Sequence, residues 1–350
     1  MKKLITIMSL AVVGFTFAQE EAPTFNVSGS IDAYFSTSLT GPNDQANQVE
    51  VGTDDPQNLW TAPLSSLMGT DQRGFSLGMA NITFSYEGEK VGFIADMAFG
   101  PRADAQFFDY DVVNEAYMYW NASEKVTLIM GRFNSWMGME NFSAANNFHY
   151  SYSHMYTFAP RNFNGIAAQF DLGNDLGFGV GVMNAADTTL NNRSGNYSIG
   201  AGISKGDSGI SVLSSEDETF VDAKLQFKVT EKFNLGLNAH VASWDDDAAL
   251  TGNRALAPGN EGFTSISAYP QIKSSESLSW GLRLEHITFK GGDDVSVFTP
   301  TLTANYSVGA LTIRPELRLD SSSEDIFANR DMDDNTGSMT SFTMAAIYQF

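Results

Sequence analysis

Cysteine is absent from all 350 residues. That excludes a disulfide framework and a lipid-anchored cysteine. Long apolar runs are missing too. Beyond the first 18 residues no stretch of about 18 apolar residues occurs, so no transmembrane helix is expected. Basic side chains are scarce: 20 Lys and Arg stand against 41 Asp and Glu, a formal net charge of −21. This balance argues against nucleic acid as a partner, because phosphate binding wants clustered Lys and Arg. No Pro- or Ser-rich linker, low-complexity block or sustained helical periodicity divides the chain.

What is present begins with MKKLITIMSLAVVGFTFAQEE. Two lysines, an apolar run from Leu4 to Phe15 and small residues before Gln19 predict a signal peptide over 1–18. Residues 19–24 then form a short N-terminal segment and 25–350 one domain. Lys2 and Lys3 lie in the leader, so the mature chain is still more acidic. An exported, cysteine-free chain suits a Gram-negative envelope.

The stretch LTIRPELRLD (311–320) alternates apolar and charged side chains throughout. Period 2 is the signature of a strand with one dry and one wet face. The same pattern recurs end to end, as in VGFIADMAF, VDAKLQFKV, LSWGLRLE and the closing FTMAAIYQF. Short turns fall at 87–90, 121–125, 172–175, 205–209, 230–232, 273–277 and 307–310. Longer connections alternate with them, chiefly 41–73, 134–161, 245–261 and 321–336. One strand on each side of every connection makes 16, from near Phe25 to Phe350. An even count puts both termini on the short-turn side.

A soluble sandwich also alternates, with its leucines turned inward. The combination here is different: a leader, alternating turn lengths, many strands in even number, and Tyr348 and Phe350 at the end like an interfacial girdle. It predicts an all-β, transmembrane, antiparallel up-and-down barrel of about 16 strands, with short periplasmic turns and long extracellular loops. The leucines then face outer-membrane lipid. Pro270, Pro300 and Pro315 fall inside strands and are expected to mark bulges or irregularities.

Residues 114–165 carry NEAY, then GRF followed by Gly138 and Glu140, an Asn-rich stretch, and YSYS leading to Pro160 and Gly165. This segment resembles the OmpL-like β-barrel porins of Gram-negative outer membranes. Met139 stands where those proteins usually have an aromatic residue, and Tyr152 where a basic one is common. The resemblance implies a channel and names no solute.

Parity puts Asp32, Asp96, Glu115, Asp222, Lys224, Arg283, Glu285, Arg314, Glu316 and Arg318 on the inner face, together with Asp171, Lys228 and Asp320. Lys or Arg facing lipid at the midplane would cost ~2–4 kcal/mol. As a set they would line a wet lumen; individually, each is more simply a charge paired across strands. The connection 134–160 holds Trp136, Phe142, Phe148, Tyr150, Tyr152, Tyr156 and Phe158, yet Glu140 is its one charged residue. A solvated tip would not want that aromatic density. The expectation is that this third long loop folds inward and constricts the barrel, with Arg132, Glu140, Tyr150, Tyr152 and Arg161 near the narrowing.

The other long loops are acidic and would make the outer mouth cation-leaning. Asp331, Asp333 and Asn335 imitate a calcium loop, but Thr336 replaces its glycine and Phe342 its closing Glu, so no metal is expected. His286 and Thr288 share an outward face without a serine nucleophile or orienting partner, so no catalysis is expected. No cofactor is implied. The function expected is a porin passing small hydrophilic solutes or ions, in homo-oligomers where it assembles; the alternative is an adhesin or receptor acting through its acidic loops.

Overall fold

A computed structural model describes residues 24–43, 73–107, 112–185, 192, 195–245, 257–292, 294–331 and 333–350. The expected signal peptide and most of the 41–73 and 245–256 loops lie outside the described residues. The first wall comprises β1 (Thr24–Ser38), β2 (Gly74–Glu87), β3 (Val91–Phe99), β4 (Val113–Ser123) and β5 (Val126–Asn134). β6 (Asn162–Gly173), β7 (Leu176–Asn184), β8 (Tyr197–Lys205), β9 (Ser208–Ser214) and β10 (Glu218–Lys228) continue it. β11 (Phe233–Trp244), β12 (Gly262–Lys273), β13 (Leu278–Lys290), β14 (Val295–Val308) and β15 (Leu311–Ser322) follow. A two-residue hairpin, β16 (Phe327–Ala328) with β17 (Asn335–Thr336), stands apart, and β18 (Ser338–Gln349) closes the wall.

These strands form a closed antiparallel barrel of 16, each paired with its sequence neighbours and β18 returning to β1. Closure removes every free edge, the one way a sheet can satisfy its backbone in hydrocarbon. The expected short turns all lie on one rim. The opposite rim is less regular than expected, since β9–β10 and β13–β14 are joined by brief connections there. It also carries two short helices that no periodicity announced, α1 (Pro101–Phe107) and α2 (His154–Phe158).

Outward positions are the apolar ones. Phe25, Ile31, Val91, Met118, Ile166, Val221, Leu284 and Leu317 are all exposed on the bare barrel. The strand 311–320 accordingly has its leucines outside and Arg314, Glu316, Arg318 and Asp320 inside and buried. Each strand proline sits at a gap in one ladder: β12–β13 pairing skips Tyr269 and Pro270, and β14–β15 pairing skips Pro300 and Pro315. The register continues unchanged across these gaps, so they are missing bonds and not bulges. A proline nitrogen has no hydrogen to donate, and the neighbouring pair drops out with it.

The interior has layers. Toward the long loops it carries a buried apolar cluster that includes Phe158, Phe163, Phe220, Trp244, Phe263, Ile287, Phe289, Val297, Phe327 and Met339. This departs from the expectation of polar inward faces throughout. The reason is coverage: α2 and the β16–β17 hairpin lie over those positions, and apolar groups lose water when covered. Below this layer runs a belt of charge. Toward the short turns the lining becomes amides and hydroxyls. Replacing lipid-facing Leu284 by Arg should destabilise the folded barrel by ~2–4 kcal/mol, whereas Val308→Arg at the strand end should cost about 0–1 kcal/mol, measured by denaturant unfolding in vesicles.

Candidate functional site

The connection between β5 and β6 enters the barrel and crosses it. A chain segment inside a barrel must find partners for its backbone polar groups, because water no longer serves them. The wall supplies them with ionised side chains. Glu316 accepts from the backbone N–H of Tyr150 (2.7 Å) and Ser151 (3.0 Å). Glu285 accepts from those of His154 and Met155, both at 2.8 Å. Cations take the carbonyls: Arg283 Nη1 donates to Ser151 O (2.6 Å), Arg318 Nη1 to Tyr152 O (2.6 Å) and Arg314 Nη1 to Ala144 O (2.7 Å). On the facing wall Lys224 Nζ donates to the carbonyls of Trp136 (3.1 Å) and Gly138 (3.2 Å). Charge-assisted bonds are the strong kind, roughly twice a neutral one.

Glu140, the loop's own carboxylate, receives Arg283 at 2.7 Å. Its second oxygen accepts from Ser153 N (2.8 Å) and Oγ (2.6 Å). Ser153 in turn caps α2, its Oγ accepting from Tyr156 N. Such a cap satisfies an orphan donor of the helix. The Tyr152 hydroxyl donates to the Phe142 carbonyl, closing the loop on itself. His154 Nε2 meets Asp320 at 2.9 Å, and Arg318 grips the same carboxylate through Nη2 at 2.7 Å. His149 is buried, with Nδ1 2.7 Å from Thr303 Oγ1. Burial, aided by Arg283 and Arg314, holds its pKa well below the usual imidazole value. The ring is therefore neutral at pH 7.

A residue no sequence reading singled out completes the arrangement. Arg102, from α1 on the neighbouring loop, is fully buried with its guanidinium 4.8 Å from the ring centroids of both Tyr150 and Tyr152. Asp32 lies 3.9 Å away and itself accepts from the Tyr150 hydroxyl at 2.5 Å. Burial opposes the charge, but Tyr152, Tyr150 and Asp32 outweigh it and raise the arginine's pKa. Room for this cluster depends on Gly78, because a Cβ there would collide with the Asp32 carboxylate and the Tyr150 hydroxyl. The available signal was modest: Gly100-Pro101 with Asp104 reads as a helix start, and nothing in it points at residues 150 and 152.

The remaining expected residues divide by place. Asp96 is buried and accepts from Asn81, Thr83 and Asn114, and Glu115 accepts from Asn134 N. Asp222 takes Asn238 Nδ2 at 2.8 Å beside His240. Arg132 donates to the Val113 and Asn114 carbonyls at the loop's root, and Arg161 to Thr157 O. The carboxylate of Glu140 thus pairs with Arg283 on the far wall. Asp171 and Lys228 sit at the short-turn rim: Asp171 accepts from Gly173 N, and exposed Lys228 pairs with Glu231 at 3.3 Å. His286 is exposed on the outer face, 3.5 Å from Thr288 Oγ1. Asp333 accepts from Asn329 Nδ2 in the last long loop.

A closed barrel with an apolar exterior and a loop held within by ionised wall residues defines an outer-membrane channel protein. The family model "Putative beta-barrel porin-2, OmpL-like" matches residues 24–350, and the chain belongs to that family. Its place is the Gram-negative outer membrane. Among solved structures, the outer membrane channel DcaP of Acinetobacter baumannii is similar at 14% identity, with 95% of this chain and 99% of that one covered and a TM-score of 0.59. An anion-selective porin from Comamonas acidovorans matches at 10% identity, 94% and 100% coverage and TM-score 0.58. OmpT of Vibrio cholerae in a trimer form matches at 10%, 94% and 100%, and 0.55. No curated protein sequence matches.

Arg102→Met should free the inward loop by leaving Asp32 buried beside an uncharged side chain, at a cost of about 3–5 kcal/mol. Single-channel conductance should rise, and Asp32→Asn in the same chain should restore part of the stability. His149 makes stability pH-dependent with a fixed sign. Above pH ~6.5 neither state binds a proton at this ring; below it the unfolded chain does while the folded one resists. Stability should fall as pH drops from about 6.5, and His149→Gln should flatten that part of the profile in denaturant titrations.

Proposed function

We propose that the protein is a porin through which small hydrophilic solutes and ions diffuse passively past the inward loop, with a lean toward cations. The observation that carries the reading is the loop itself: residues 134–161 run inside a closed 16-strand barrel and bond to β10, β13, β14 and β15. In this reading Asp32, Asp96, Glu115, Asp222, Lys224, Arg283, Glu285, Arg314, Glu316 and Arg318 set the polarity of the lumen. Arg132, Glu140, Tyr150, Tyr152 and Arg161 belong to the constriction or its roots. Most of the wall charges act on solute indirectly, by holding the loop that shapes the passage.

Charge asymmetry supports the cation lean. Among the described residues of the long-loop mouth, Asp217, Asp245, Glu261, Asp325, Asp331 and Asp334 stand against Arg73, Lys290 and Arg330, while Arg102 and Arg161 are buried. The short-turn rim is mixed, with Lys90, Lys125, Lys205, Lys232 and Lys273 among Glu87, Glu89, Glu124, Asp175 and Glu276. A mouth of one sign concentrates its counter-ions by local potential. Homo-oligomeric assembly is part of the same proposal, supported by the trimer form of the OmpT neighbour.

In planar bilayers the refolded protein should give stepwise openings. Under a salt gradient the reversal potential should carry the sign of cation preference, shrinking as ionic strength rises and screening shortens. A reversal potential of anion sign would overturn the lean, and absence of openings would overturn the porin reading in favour of a surface adhesin.

A further inference from the structure

On the short-turn side of the inward loop lies a cavity of about 420 Å³. Its roof is loop, from Met139 and Glu140 to Phe148 and His149, and its walls are the short-turn ends of β10 and β12–β15. Ligand sites are concave and carry a few placed polar groups against an apolar or aromatic surface. One side here is aromatic: Phe148 and His149 have ring centroids 5.4 Å apart, and His149 and Tyr269 6.2 Å. The Phe148 ring lies against Gly281, where a Cβ would occupy its place.

The charges on this lining are already engaged. Glu140 is held by Arg283 and Ser153, while Arg314 donates to Asn305 Oδ1 (2.5 Å) and Ala144 O (2.7 Å). By contrast the side chains of Asn146, Gln226, Gln271 and Ser279 line the cavity with no hydrogen-bond partner among the described residues. Free amides and a hydroxyl offer donors and acceptors together. A cationic solute would find the lining's one carboxylate already paired, and an anionic one would have to compete with Asn305 and the Ala144 carbonyl for Arg314. A neutral solute bearing many hydroxyls matches both walls: its O–H groups pair with the amides, and its C–H faces pack on the rings.

We propose that this cavity binds a neutral polyhydroxylated solute of the saccharide class, entered from the short-turn side and closed above by the inward loop. The inference rests on the porin reading for its biological sense, since it names the solute class that the passage would hold in transit. The binding itself is testable without conduction.

The refolded full barrel in detergent micelles is titrated calorimetrically with maltose, sucrose and raffinose, and in parallel with glutamate and lysine as charged probes. Saturable binding of at least one saccharide is expected, equal at low and high ionic strength, with neither charged probe competing. Gln271→Ala and Phe148→Ala should each weaken it by roughly five- to tenfold, while Lys232→Ala on the rim leaves it unchanged. Retained heat-modifiable mobility on electrophoresis verifies that each variant is folded; Gln226→Ala, at an exposed position, stands in for one that is not. The proposal is overturned if no saccharide saturates, if salt or a charged probe abolishes binding, or if the folded cavity variants bind like the parent. Stepwise openings in planar bilayers alongside any of those results would leave the porin reading standing and remove only the site.

Discussion

The constraint on which this structure depends is that a backbone group taken out of water needs a partner. A loop that leaves the rim and enters a membrane barrel gives up bulk water, and each exposed N–H or C=O then needs a partner in the wall. The barrel answers with a division of labour by sign. Glu285 and Glu316 take amide hydrogens, whereas Lys224, Arg283, Arg314 and Arg318 take carbonyl oxygens. The charged belt is thereby neutralised by polar backbone and by its own opposite members, as in the Arg318–Asp320–His154 cluster. Without the loop these ions would lose the backbone groups they now bond to; without the ions those backbone groups would lose their partners in the wall.

The layers of the interior follow from where the loop lies. Above it, α2 and the β16–β17 hairpin bring Phe158 and Phe327 against inward Phe220, Phe263 and Phe289, all of them buried. At its level, charges bond to backbone. Below it, strands end in glutamine, asparagine and serine around open space. Arg102 ties a second loop into the same assembly through two aromatic faces, an attraction that strengthens once the cation is desolvated. The proposed conductance, pH response and solute preference all trace to this one chain segment and its anchors.

Much of the architecture was legible because barrel strands are read by a period of two. Alternation along LTIRPELRLD assigns Leu317 and Arg318 to opposite faces whatever their neighbours are, and turn spacing orders the strands. The aromatic density of 134–160, with its single charge, likewise set that loop apart from its acidic counterparts. Pairings were a different matter. Arg132 and Arg161 flank the loop in sequence, yet Glu140 is met by Arg283, 143 positions along the chain. Periodicity says which way a side chain points and is silent about what crosses the lumen to reach it.

The sequence by itself determined the strand number and which side of each strand turns inward and which outward. These depend on local alternation, on turn residues and on the mismatch between charge and hydrocarbon. Only the tertiary structure decided that the lumen is stratified, that Arg102 lies between Tyr150 and Tyr152, and that the wall's ions serve a loop's backbone. Those outcomes require barrel closure, which brings residues more than a hundred positions apart within a hydrogen bond of each other.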